Sequence, residues 1–178
     1  MSDRREYEVY NSMIDTIVDS WFAADGLELI VIAEHTKVDR ELKRRLPILI
    51  VDRHLRANFD YELDQSAVND FAKRNGRGCN LRGSWLHLRR KCVIIPSKQE
   101  KEFFAKDVRG WDYFYECYPN SQGILRLSRV GFNDRFDQAV VYLENMAWFL
   151  AGTGLYVFLT KKMDGNWEIR KDDLAWVS

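Results

Sequence analysis

Residues 118–133 read YPNSQGILRLSRVGFN, residues 139–149 AVVYLENMAWF and residues 151–167 AGTGLYVFLTKKMDGNW. Their three apolar runs are punctuated by Pro119, Gly123, Gly131, Gly152, Gly154 and Gly165. Runs of this length between turn residues predict consecutive antiparallel strands. Asp164-Gly165 suits the positive φ of a tight hairpin, which would join residues 156–161 to 166–170. The closing Leu174-Ala175-Trp176-Val177 adds an edge strand or docks as a lid. The fold class this stretch implies is α+β: an antiparallel sheet of about four to six strands, drawn mainly from residues 90–177 and covered on one face by N-terminal helices.

Upstream, Tyr7, Tyr10, Ile14, Ile17 and Trp21 recur at spacings of three and four, which predicts an amphipathic helix over residues 5–22. Its aromatic stripe is read as packing on the sheet rather than as a partner surface. Leu29 to Ala33 is an unbroken apolar run and reads as a buried strand. Residues 39–46 predict a short helix stopped near Pro47, and residues 64–74 a second, closed by Asn75-Gly76. Between them, residues 48–59 suit a strand through ILIV or a helical face through Ile48, Val51, Leu55 and Phe59, and are read as helix. Cys92 to Ile95 reads as a strand ending at Pro96. Ser97 with Glu100 has the spacing of a capping box, so a helix starts there and buries Phe103 and Phe104. Trp111, Phe114, Tyr115 and Tyr118 place another helix over residues 110–117.

A chain of 178 residues buries roughly 70% of its unfolded surface, enough for a core without staples. It reads as a single domain over residues 1–178, mostly helical over 1–110 and strand-rich over 111–178. With 46% hydrophobic and 30% charged residues, the composition excludes a disordered chain. No signal peptide or membrane span is legible, so a cytoplasmic location with no membrane partner is expected. Cys79, Cys92 and Cys117 lack both disulfide and zinc spacing and read as reduced thiols.

Net charge is zero, from 27 basic and 27 acidic residues. It is unevenly spread: no acid lies between Asp70 and Glu100, while Lys73, Arg74, Arg77, Arg82, Arg89, Arg90, Lys91 and Lys98 do. Interleaved with Trp85 and His87, this window suits a phosphate backbone and a stacked base. Arg77, Arg82, Trp85, Arg89, Arg90 and Lys91 are therefore the candidate RNA-binding residues. The competing reading is a solvated loop whose cations meet acids such as Glu100, Glu102 and Asp107.

Other candidate chemistry is sparse. Ser128-Arg129 falls in a predicted strand, where Arg129 could bind a carboxylate or phosphate together with Ser121 and Asn133 from flanking turns. Alternatively Arg129 braces the sheet by pairing with Glu144 or Glu116. His35, His54 and His87 are scattered and match no metal motif, and a thiol nucleophile from Cys79 or Cys92 with His87 has no third group to orient the histidine. No phosphate-cradling glycine loop follows a strand, and Gly152-Thr153-Gly154 reads as a strand-entry turn. No cofactor or metal is called for.

The run WDYFYECYPNSQGILRLSRVGFN, then QAVVYLEN, LYVFLTKKMDGNWEI and WVS, resembles a family of uncharacterised bacterial proteins. Those proteins share Tyr-Pro-x-Ser-x-Gly, Ser-Arg-x-Gly-Phe, an Ala-led strand, and a Gly-x-Gly strand ending in Lys-x-x-Gly-x-Trp. The resemblance spans residues 111–177 and implies a shared fold and a bacterial source, with no known activity. At the turn between the two strands this chain has Met146-Ala147-Trp148-Phe149-Leu150-Ala151, where the family carries small residues or Cys. The functional expectation is a non-enzymatic binding or interaction protein with a protein partner, of immunity or inhibitor type. The alternatives are RNA binding through residues 73–98 and a hydrolase whose site assembles only in three dimensions.

Overall fold

The computed structural model describes residues 3–21, 26–37, 63–104 and 110–178. The helices expected over 39–46 and 48–59, and His54, lie outside these. In chain order the described elements are α1 (Arg4–Trp21), β1 (Leu29–Ala33), α2 (Gln65–Arg74), a 3-10 turn (Gly83–Trp85), β2 (Lys91–Ile95), α3 (Ser97–Phe104) and α4 (Gly110–Cys117). They continue with β3 (Ser121–Leu127), β4 (Gly131–Phe132), β5 (Gln138–Trp148), β6 (Ala151–Lys161) and β7 (Trp167–Val177).

The seven described strands form one sheet in the order β2-β1-β3-β5-β6-β7, with the short β4 also pairing β5. The expectation of an antiparallel sheet built mainly from residues 90–177 is corrected at its N-terminal side. β1 lies between β2 and β3 and runs parallel to both, so the sheet is mixed. From β3 onward the pairing is antiparallel, as expected. The helical connections that return the chain to the same end of the sheet allow the parallel pairing, and no hairpin could.

Helices cover both faces, which corrects the one-sided cover expected from the sequence. On one face the α1 stripe of Tyr7, Tyr10, Met13, Ile14, Ile17 and Val18 packs on Ile30, Ile32, Leu125, Leu127, Val141, Leu143, Val157 and Leu159. The alternate residues of the same strands point the other way. There Val140, Tyr142, Tyr156 and Phe158 meet Val68 and Phe71 of α2, while Val31, Ala33 and Ile124 meet Phe103, Trp111 and Phe114 of α3 and α4. Strands buried on both sides need an apolar residue at every position, and this explains the unbroken run of β1.

Local devices hold the junctions. The carboxylate of Asp64 caps α2 by accepting from the Ser66 amide at 2.9 Å. At α3 the expected capping box gives way to longer contacts: the Ser97 amide donates to Glu34 Oε2 at 3.1 Å, and the Glu100 carboxylate receives Arg126. Where the β1–β3 register shifts, the Gln122 side-chain amide takes over the pairing. It accepts from the Val31 amide at 3.1 Å and donates to the Val31 carbonyl at 2.8 Å. Its neighbour Gly123 sits at φ +99°, and a Cβ there would lie 2.2 Å from the Met146 carbonyl oxygen, so the position accepts only glycine. Ser128-Arg129 falls in the break between β3 and β4 rather than within a strand, and Gly152 and Gly154 belong to β6 itself, under Trp176 of β7.

Candidate functional site

Four constellations on this scaffold bear on function. The first is built around Arg129. Glu6, on the first turn of α1, is fully buried, and its Oε1 accepts from Arg129 Nη2 at 2.5 Å, Arg129 Nε at 3.2 Å and Arg74 Nη1 at 3.0 Å. Arg74 also donates through Nε to Asp70 Oδ2 at 2.7 Å. The acid that braces Arg129 is thus Glu6 rather than Glu144 or Glu116. Beside Glu6 the Tyr10 hydroxyl donates to the Ser128 carbonyl at 2.7 Å, and burial next to that carboxylate pushes its pKa well up. Arg129, Arg74 and Asp70 line an open cleft of about 620 Å³ together with Asp3, Lys73, Gly76 and Arg77, and Glu6 and Tyr10 lie buried behind it.

Ser121 and Asn133 do not line that cleft. The Ser121 hydroxyl donates to the Tyr118 carbonyl at 2.7 Å, at the entry to β3. Asn133 is buried and pins the turn after β4, where its Oδ1 accepts from the amides of Asp137 and Gln138, both at 3.0 Å. Each closes a local turn.

The second constellation occupies the middle of the face opposite α1. Glu144 is buried there, paired with Lys37 and Arg126, and accepts from the Tyr142 hydroxyl at 2.8 Å. The Tyr142 oxygen in turn accepts from the indole of Trp176 at 2.7 Å, and Arg126 reaches Glu100 as well. Burial, then the adjacent Glu144 charge, drives the Tyr142 pKa far upward, so the phenol is a fixed donor and not a base. Two acids face two cations, and each group already has a partner, which makes the network a brace.

The third is the basic window, which the fold disperses. Arg89 and Arg90 both pair with Asp19 on α1, and the Arg89 amide donates to Asp15. Trp85 meets Tyr7 edge-on at 5.1 Å and carries Arg82 at 4.7 Å and Arg4 at 5.5 Å from its ring, so its surroundings are already filled by protein. Lys91 is exposed at the start of the edge strand β2, and Lys98 pairs with Glu102 at 3.9 Å. Lys73, Arg74 and Arg77 gather at the cleft beside Arg129, whereas Arg89 and Arg90 sit apart from them, around Asp19.

Cys92 and His87 line a common shallow cleft of about 530 Å³, yet no hydrogen bond joins them. Burial, followed by the nearby Asp15 charge, pushes the Cys92 thiol up to about 11, opposite to what a nucleophile needs. His35 Nδ1 is 2.8 Å from Asn80 Oδ1. Among the described residues no group of three His, Cys, Asp or Glu side chains could hold a metal ion, and no helix is long and apolar enough to cross a membrane.

The fourth constellation is an exposed apolar surface. The two-residue turn between β5 and β6 is Phe149-Leu150, 46% and 81% exposed, flanked by Trp148 at 42%. Trp148 stacks on Trp111 at 6.4 Å and on Tyr115 at 6.3 Å, and the Tyr115 hydroxyl anchors the hairpin by donating to the Ala147 carbonyl at 2.8 Å. Phe104 extends the surface from α3, with its ring 5.0 Å from that of Trp111. Exposed Tyr113 joins through Phe103 at 5.4 Å. The sequence reading marked residues 146–151 as a departure from the resembled pattern but gave Phe149 and Leu150 no role. Their signal was present: hairpin turns favour Asn, Asp and Gly, and here two large apolar residues occupy one.

Comparison with protein-family models, curated proteins and solved structures found no match to this chain.

Proposed function

We propose that this is a non-enzymatic binding protein, of immunity or inhibitor type, that engages a protein partner through the surface formed by the β5–β6 turn and α4. The observation that carries the reading is the Phe149-Leu150 turn, which presents two large apolar side chains to solvent on a hairpin anchored by the Tyr115 hydroxyl. Such a turn offends both local turn chemistry and solvation, and neither β5 nor β6 needs it in order to pair. Trp148 and the aromatic residues of α4 behind it supply the large, low-entropy contact groups that dominate protein interfaces. The charged constellations favour no competing chemistry: Glu144 and its partners are mutually satisfied, and the Cys92 thiol is held protonated.

The test is a paired capture. Wild-type protein and the Phe149→Ser/Leu150→Ser variant are used as baits in a bacterial lysate, alongside a broad hydrolase screen. The expected result is a partner retained by wild type and lost by the variant at equal stability, with no turnover by either. Equal capture by both, or turnover by the wild type, would overturn the reading. RNA binding through Arg89, Arg90 and Lys91 is the weaker reading, because two of these three cations are committed to Asp19.

A further inference from the structure

We propose that the cleft between the first turn of α1, the last turn of α2 and the 128–130 connection binds a phosphate dianion. Three side chains fix its walls relative to one another, Asn75, Asp70 and Glu6. Asn75, the C-cap of α2, donates from Nδ2 to the carbonyls of Phe71 and Arg129, both at 2.9 Å, and accepts from the Arg129 amide at 2.8 Å. Asp70 Oδ2 accepts from the Phe132 amide at 2.9 Å while holding Arg74. Buried Glu6 then aims both guanidinium groups: Arg129 and Arg74 converge on its Oε1 and keep 16% and 18% of their side-chain surface open. A site whose cations are oriented by buried partners needs little reorganisation to receive an anion.

The charge balance names the ligand class. Around the cleft Arg5 pairs with Asp3, and Arg74 and Arg129 are offset by Asp70 and Glu6. Lys73 and Arg77 are exposed at the mouth and pair with no acid among the described residues. They leave two positive charges, reduced by the carbonyl end of α2, which carries roughly half a negative charge. The remainder matches the charge of a phosphate monoester near neutral pH, about −1.5 to −2. Arg77 supplies a planar fork and Lys73 a point charge, the pair of donors that phosphate oxygens accept. A cleft of about 620 Å³ admits more than the phosphate alone, so the group it carries is the open variable.

The experiment is an NMR titration of 15N-labelled protein with inorganic phosphate at pH 7.5, with ionic strength held constant by chloride. Saturable shifts are expected at the amides of Gly76, Arg77 and Arg129, with affinity at least tenfold weaker in Lys73→Ala/Arg77→Ala. Both side chains are exposed, and unchanged resonances elsewhere verify that the variant is folded. A fluorescent oligouridylate of twelve nucleotides is titrated in parallel. If the oligonucleotide binds wild type and is lost in the variant while inorganic phosphate gives no saturable shift, the cleft takes singly charged phosphodiesters and the dianion assignment is overturned. If phosphate binds and the oligonucleotide does not, it belongs to a small phosphorylated molecule. No saturable shift above the chloride control, or equal affinity in the variant, overturns the site; neither result depends on the Phe149-Leu150 surface.

Discussion

Replacing Glu6 with alanine would leave two guanidinium groups without the carboxylate that holds them. Glu6 is fully buried and receives three hydrogen bonds on one oxygen, two from Arg129 and one from Arg74. Removing one partner of a buried ion pair costs about 3–5 kcal/mol, because the surviving charge stays desolvated. Arg129 and Arg74 keep 16% and 18% of their side-chain surface, and Arg74 retains Asp70, so water and a second acid soften the loss. The lower end, about 3 kcal/mol, is the expected cost. For a chain of this size that lowers Tm by about 6–12 °C. Urea unfolding gives the free energy directly, with m unchanged if the variant keeps its native extent. Glu6→Ala in an Arg129→Ala background should cost clearly less than in wild type, since the interaction is shared. A loss below about 1 kcal/mol, or strict additivity of the two substitutions, would refute the idea that Glu6 organises this corner.

Other consequences are open to direct measurement. Gly154→Ala would place a Cβ 2.3 Å from Trp176 Nε1 and 2.6 Å from the Tyr142 hydroxyl, so it should displace the indole at a cost of about 1–3 kcal/mol; an unchanged near-UV circular dichroism spectrum would contradict this. Cys92, held up to about 11, should have roughly a hundredfold less thiolate at pH 8 than an ordinary thiol, so Ellman's reagent should label exposed Cys117 well before Cys92. The Asp19 carboxyl is held below its ordinary value by Arg90 first and Arg89 second. Its pairing therefore stabilises the fold fully above the unfolded carboxyl value of about 3.9, and this is lost as pH falls through the lower folded value. Carbon-detected titration should show that midpoint rising toward the ordinary value in Arg90→Ala.

What the sequence disclosed and what it hid follow from the range of the interactions. β1, α4 and the β6–β7 hairpin are set by local periodicity and by Asp164-Gly165, and all lie where the residue pattern puts them. The parallel insertion of β1 is set by partners far along the chain, Lys91 and Ser121 opposite Leu29, which no local window contains. Cover on both faces was visible in principle, because β1 and the start of β5 are apolar without alternation, whereas β7 alternates. Arg129 was recognisable as a residue of interest, but its partner Glu6 is 123 positions away on an element read only for its apolar stripe. The same α1 explains the fate of the basic window: it carries buried Asp15 and part-exposed Asp19, and Arg89 and Arg90 dock on them.

The strand order also dictates when the molecule can come together on the ribosome. β1 is synthesised early but has no neighbour until Lys91 emerges on one side and Ser121 on the other. The α1 helix ahead of it waits longer still, since its cover includes Leu159 and Trp167, and Glu8 reaches Lys161 at 3.2 Å. The nascent chain therefore carries an unpaired strand until Lys91 emerges and an incompletely covered helix until the last hairpin is released. Such a chain is a natural client for chaperones that bind emerging polypeptides, and truncation within the final two strands should abolish folding altogether rather than trim its edge.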